Sequence, residues 1–132
     1  MNDQTRERLV TKRLTVVWLK QPEAHDYPAA LSFLRLLYED TVASRLVAKL
    51  RRAKVTSFKA KDIFRASGLP QLPLTNSHVK KDEKLILARE ALSPLLLIRD
   101  ANTGRVIVAD GYHRLCAVYA FDEDAVVPCK IV

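Results

Sequence analysis

The sequence is poor in the residues that punctuate or staple a small fold: three glycines, two cysteines and one tryptophan in 132 residues. Cys116 and Cys129 form no CxxC pair and no ligand cluster with the scattered His25, His78 and His113. That spacing argues against a structural zinc site and a disulfide framework. Both thiols read as small buried hydrophobes, and a disulfide between them would require their two elements to pack together. No apolar run approaches the ~20 residues of a bilayer span. The opening Met-Asn-Asp-Gln-Thr-Arg-Glu-Arg lacks the apolar stretch of a secretory signal, so a cytoplasmic protein with no membrane partner is expected. No repeat, low-complexity run or linker interrupts the chain. One domain is therefore expected over 1–132, with a flexible arm at 1–12.

The sequence is richer in apolar and basic residues. Hydrophobic residues make up 48% of the chain, enough for a modest core. Against 15 acidic residues stand 22 basic ones, a formal charge of +7 and a pI near 9.6. Such a balance favours polyanionic partners: a nucleotide, a nucleic acid or an acidic protein. A solvated basic surface is the other reading and stays open.

The hydrophobic pattern alternates between helix and strand. Leu14-Thr-Val-Val-Trp-Leu19 predicts a first strand, broken at Gln21-Pro22-Glu23. Tyr27, Leu31, Leu34 and Leu37/Tyr38 recur at helical steps and predict a helix over 26–38, with Pro28 in its first turn. Val42, Leu46, Val47 and Leu50 predict another over 40–53, with Arg45, Lys49 and Arg52 on the opposite side. Basic residues are densest from Arg45 to Arg65, where Asp62 is the single acid. That stretch either follows a phosphate backbone or forms an ordinary exposed face. A short strand at 55–58 and a helical turn at 61–67, stopped by Gly68, come next. Leu69 to Leu74 is extended by its prolines. Thr75, Asn76 or Ser77 then caps a helix over about 77–90, which places His78 and Lys81 on one side of its first turns. Pro94-Leu-Leu-Leu-Ile98 reads as a strand buried on both faces, Asp100 to Gly104 as a turn, and Val126 to Val132 as a closing strand.

The stretch Arg105-Val-Ile-Val-Ala-Asp-Gly-Tyr-His-Arg-Leu-Cys-Ala-Val-Tyr-Ala120 organises the rest. A β-branched strand passes through Asp110-Gly111 into a helix with Tyr112, His113 and Arg114 in its first turn. Backbone amides, a helix dipole and an arginine then converge on one point, the usual device for holding phosphate. The other reading is structural, with Asp110 as a helix cap and His113 and Arg114 packed or solvated.

This corner, its helix and the closing Val-Pro-Cys-Lys-Ile-Val resemble the end of the ParB/sulfiredoxin fold over about residues 70–132. The resemblance implies an α+β, mixed-sheet domain in which 26–53 is an added helical segment. It also implies that Gly111, His113 and Arg114 bind nucleotide phosphate, with Tyr112 in the same turn and His78 and Lys81 on the neighbouring helix. Tyr112 stands where sulfiredoxin needs its cysteine, so sulfinic acid reduction is not expected. ParB proteins carry a helix-turn-helix domain and a dimerisation tail after this fold, so partition-type clamping is not expected of this chain alone. The turn Asp-Gly-Tyr-His-Arg differs at one residue from the Asp-Gly-His-His-Arg of ADP-dependent serine kinases. That similarity implies phosphoryl transfer with ATP, ADP or CTP, usually with Mg²⁺. It makes Asp110 and His113 catalytic candidates and Glu23 the nearest counterpart of the base, followed by His25 and Asp26. A nucleotide-binding domain with NTPase or kinase-like activity is thus the leading expectation. The alternative is a non-catalytic nucleic-acid or regulatory module of plasmid, phage or partition type acting through Arg45, Lys49 and Arg52.

Overall fold

Leu95-Leu-Leu-Ile98 lies at the centre of the molecule, a computed structural model that describes residues 15–132. The run forms most of β2 (Leu95–Asp100), and alternate side chains enter two separate cores, Leu95 and Leu97 on one face, Leu96 and Ile98 on the other. A strand covered on both sides is uniformly apolar because neither face meets water. The expected arm at 1–12 lies outside the described residues, as do residues 13 and 14.

Chain order gives α1 (Asp26–Leu34), α2 (Asp40–Arg52), β1 (Thr56–Lys59), α3 (Ala60–Ser67) and α4 (Ser77–Leu87) before β2. After β2 come β3 (Arg105–Asp110), α5 (Tyr112–Phe121) and β4 (Val126–Ile131). The four strands form one mixed sheet in the order β1-β4-β2-β3, parallel between β2 and β4 and antiparallel at both edges. The fold class is α+β, as expected from the sequence. The helices of the 26–53 segment cover one face: Tyr27, Ala30 and Leu34 with Ala43, Val47 and Leu50 pack onto Leu96, Ile98 and Ala109. Helices α3, α4 and α5 cover the other, with Ile63, Val79, Ile86, Leu115 and Val118 around Leu95, Leu97 and Val127. Each fully buried leucine or isoleucine contributes about 1.5–3 kcal/mol by leaving water, so the two helical layers hold the sheet between them.

Three elements differ from expectation. The strand at 14–19 is reduced, within the described residues, to an isolated parallel bridge between Trp18 and Leu92. The amide of Leu19 donates to Leu92 O, and that of Leu92 to Val17 O, both at 2.8 Å. Two residues beyond Leu92, Pro94 has no amide with which to continue that pairing, and the chain turns into β2. Helix α1 ends at Leu34 rather than 38, because Leu36 and Leu37 donate three residues back, to Phe33 O and Leu34 O. The tightened turn leaves Leu37 half exposed, while Tyr38 packs against the core. Helix α4 ends at Leu87 rather than 90. Arg89 adopts a left-handed φ of 60°, and Glu90 donates back to Leu85 O while Arg89 donates to Ile86 O. That pair of bonds is a Schellman closure built without glycine.

The remaining boundaries fall within a residue or two of expectation. Gly68 stops α3 at φ 66°, and Asn76 caps α4 by accepting from the amides of His78 and Val79. Cys116 and Cys129 belong to the same core but remain free thiols. No helix among the described residues is long and apolar enough to cross a membrane.

Candidate functional site

The β3–α5 corner and the first turns of α4 enclose a cleft of about 180 Å³, lined by His78, Lys81, Asp82, Asp110, Gly111, Tyr112, His113 and Arg114. Six of these residues were expected at the phosphate corner from the sequence, namely His78, Lys81, Gly111, Tyr112, His113 and Arg114. Asp110 was expected as a catalytic acid in the same turn.

A pairing shift at the end of β3 delivers Asp110 to this corner. Leu96 pairs with Asp110 and Leu97 with Val108, which leaves Ala109 as an extra residue. Such bulges re-aim the side chains that follow them. Gly111 then turns the chain at φ 106°, where a Cβ would stand 2.8 Å from Leu95 Cγ and 2.9 Å from Arg114 Nη2. Only glycine passes between the core and the arginine without displacing one of them.

The two helix N-termini meeting at the cleft differ. On α4, the Asn76 side chain already satisfies the amides of His78 and Val79 at 3.0 and 3.2 Å. On α5, the N-cap is Gly111 and no side chain caps the helix. The first helical bond runs from Leu115 N–H to Gly111 O at 2.9 Å. The amides of Tyr112, His113 and Arg114 therefore donate to no protein acceptor among the described residues. Asp110, the other residue that sequence could place at the cap, instead accepts from Arg114 Nη2 at 2.8 Å.

Arg114 is shared between two carboxylates, Asp110 at 2.8 Å and Asp26 at 3.8 Å. Its Nε is buried and has no hydrogen-bond partner among the described residues. Burial pushes the Asp110 carboxyl above its ordinary value against the pull of Arg114, and nearby Asp26 adds to the push. Asp26 is itself 2% exposed and is held by the hydroxyl of Ser93, which donates to its Oδ2. Ser93 Oγ in turn accepts from the Glu23 amide at 3.1 Å, which fixes the 23–26 loop to the start of β2. His25 Nε2 lies 3.2 Å from Glu23 and 3.3 Å from Asp26.

Glu23 is thus near the corner but outside the cleft lining, its side chain about half exposed and turned to His25. The carboxylate that reaches Arg114 from this loop is Asp26. Sequence reasoning placed Asp26 only next to Glu23. Its place at the start of α1, beside an apolar face, is the one signal of burial. Asp82 was missed altogether, although it lies one helical turn beyond His78. Burial pushes its carboxyl up, opposed by Arg114, His113, Lys81 and His78. Ser93 carried no sequence signal.

The imidazoles of His78 and His113 face each other with ring centroids 4.8 Å apart and a 37° tilt. Burial lowers the His113 pKa, and the neighbouring His78 lowers it further, against a smaller opposite effect of Asp82. The Tyr112 hydroxyl donates to Pro70 O, tying α5 to the extended 69–74 segment. Burial raises the Cys116 thiol, which faces Tyr112 and the Leu72 backbone. Arg45, Lys49 and Arg52 are exposed on α2, on the other side of the sheet from α4 and α5. Within that basic stretch, Arg51 stacks 4.5 Å over the Tyr27 ring and Lys61 pairs with Asp124. Among the described residues no group of three His, Cys, Asp or Glu side chains is arranged to hold a metal ion.

No protein-family model matches this chain, and neither a curated protein nor a solved structure matches it.

Proposed function

We propose that the cleft binds the terminal phosphates of a nucleotide and is suited to phosphoryl transfer. The observation that carries this reading is the uncapped N-terminus of α5: three unpaired amides open onto a cleft that also holds Arg114. The buried, unpartnered Arg114 Nε fits the same ligand, since a phosphate oxygen supplies the missing acceptor. The resemblance of Asp110 to Arg114 to the ParB/sulfiredoxin turn supports the same assignment.

In this reading the amides of Tyr112 and His113 and the guanidinium of Arg114 hold phosphate oxygens, with Asp26 and Asp110 orienting the guanidinium. Lys81 and the His78 imidazole on the facing wall of α4, and the His113 imidazole on α5, are further donors. Asp110 is the carboxylate placed to accept a proton from an attacking hydroxyl, because it lines the cleft and its raised pKa strengthens it as a base. Single carboxylates rather than a ready cage suit Mg²⁺ carried in on the phosphates and held chiefly by them and by water.

Calorimetric titration with ATP, ADP and CTP, with and without Mg²⁺, tests the reading. Charge-assisted hydrogen bonds contribute about 1.5–3 kcal/mol each, so Arg114→Ala is expected to weaken binding about 10- to 150-fold. Absence of binding at millimolar nucleotide, or an Arg114→Ala variant of unchanged affinity, refutes it. Nucleic-acid binding abolished by neutralising Arg45, Lys49 and Arg52 would instead assign the function to α2.

A further inference from the structure

The charges lining the cleft balance. Lys81 and Arg114 provide two cations, while Asp82 and Asp110 provide two carboxylates, so the ionised side chains sum to zero. Buried Asp26 sits behind Arg114 and adds a further negative charge. A cleft so balanced attracts an anion through its helix dipole and amides alone unless something else becomes positive. The remaining titratable groups that line it are the facing imidazoles of His78 and His113, and the Tyr112 phenol, which is turned to Pro70.

Those imidazoles are placed to respond to a ligand. Their ring centroids are 4.8 Å apart, too close for two positive charges without an anion nearby. Apart from the ring contacts with each other and with Tyr112, neither imidazole side chain makes a hydrogen bond or ion pair among the described residues. From α4 the pair is faced by Lys81 and Asp82, and from the β3–α5 corner by Asp110, Tyr112 and Arg114. His25 reaches Asp110 only electrostatically.

We propose that the His78–His113 pair makes the cleft selective for a terminal phosphate monoester in its dianionic form, and that binding draws a proton onto the pair. The inference rests on the phosphate reading above and adds to it the charge state of the ligand. A dianion supplies one negative charge to match Arg114 once its oxygens compete with Asp110, and a second to hold an imidazolium. A phosphodiester, with a single charge, leaves both imidazoles neutral. In the free protein burial and the facing His78 ring lower the pKa of His113, which favours its neutral form. A neighbouring dianion acts on His113 in the opposite direction, raising its pKa and favouring the imidazolium once the ligand is bound. Affinity then rises as pH falls from 8 towards 6, and stops rising where the ligand phosphate itself protonates, near pH ~6.

Calorimetry of ADP and CTP binding at pH 7.5 in two buffers of different ionisation enthalpy, HEPES and Tris, measures the proton directly. The expected result is net uptake of a measurable fraction of a proton, up to about one, per nucleotide bound, because the bound anion favours the protonated imidazole. Uptake is expected to vanish in the His78→Gln/His113→Gln double variant, and cyclic AMP, a phosphodiester, is expected to bind at least ~10-fold more weakly than ADP. Nucleotide binding without proton uptake, or uptake that persists in the double variant, overturns the proton-linked pair and leaves the phosphate cleft standing. Equal affinity for cyclic AMP and ADP overturns the selection for a dianion. Silence with both ADP and CTP overturns the phosphate reading and this inference with it.

Discussion

Replacing Gly111 by alanine adds one methyl group at the most constrained point of the corner. The new Cβ would lie 2.8 Å from Leu95 Cγ and 2.9 Å from Arg114 Nη2, distances that force a neighbour to move. Leu95 is fully buried in the core covered by α3, α4 and α5, so its displacement disturbs packing there. Arg114 can move only by breaking its pair with Asp110. The backbone at φ 106° costs an L-residue about 1–3 kcal/mol. Overpacking against Leu95 adds about 1–3 kcal/mol. The expected loss is therefore about 2–6 kcal/mol out of the ~5–15 that a domain possesses. Urea unfolding followed by the fluorescence of Trp18, the single tryptophan, reads it. Truncating Leu95 to alanine removes the packing part of the conflict, so Gly111→Ala is expected to cost about 1 kcal/mol less or lower still in that background. A loss below ~0.5 kcal/mol in the parent, or the same loss with and without Leu95, refutes the steric account of the corner.

Three further outcomes are expected. Asn76→Ala removes the acceptor for two amides at the start of α4 and is expected to cost about 1 kcal/mol in the same unfolding assay. Burial raises Asp82, so its neutral form is favoured on folding. Its contribution is present below the ordinary carboxylate pKa and is lost as pH rises through the raised value. Asp82→Asn is accordingly expected to be more stable than the parent at pH 7, with the difference closing towards pH 3; a difference that widens on acidification contradicts the burial argument. Burial also raises both thiols, Cys129 to about 11, leaving roughly one thiolate in a thousand at pH 8. Ellman's reagent is therefore expected to react slowly with the folded protein and quickly in urea, and rapid modification of the native state would show the core to be open.

How far the fold was legible follows from the range of the interactions involved. The run Leu95 to Ile98 declared a doubly covered strand because burial on both faces removes the polar alternation. Gly68 and Asn76 announced a helix stop and a helix start through local backbone chemistry, and both act there. The overlong reading of α1 came from counting Leu37 as a core residue at helical spacing, whereas the turn tightens after Leu34 and exposes it. The end of α4 was hidden because its Schellman closure uses Arg89, not glycine. At the site, residues contiguous in sequence or one helical turn apart were visible: Asp110 to Arg114, and His78 with Lys81. Asp26 and Ser93 were not, because their roles arise from contacts spanning 88 and 67 positions, between Asp26 and Arg114 and between Ser93 and Asp26. Asp82 was within reach of the same helical spacing, and its opposite charge concealed it in a search for phosphate ligands.

The central claim is that the uncapped first turn of α5 is an anion site. Amide chemical shifts of the ¹⁵N-labelled protein during titration with ADP test it most directly. The account predicts that Tyr112, His113 and Arg114 shift together and saturably, with the side chains of His78 and His113, while the amides of α2 stay in place. Shifts confined to α2, or none at millimolar ADP, would contradict it.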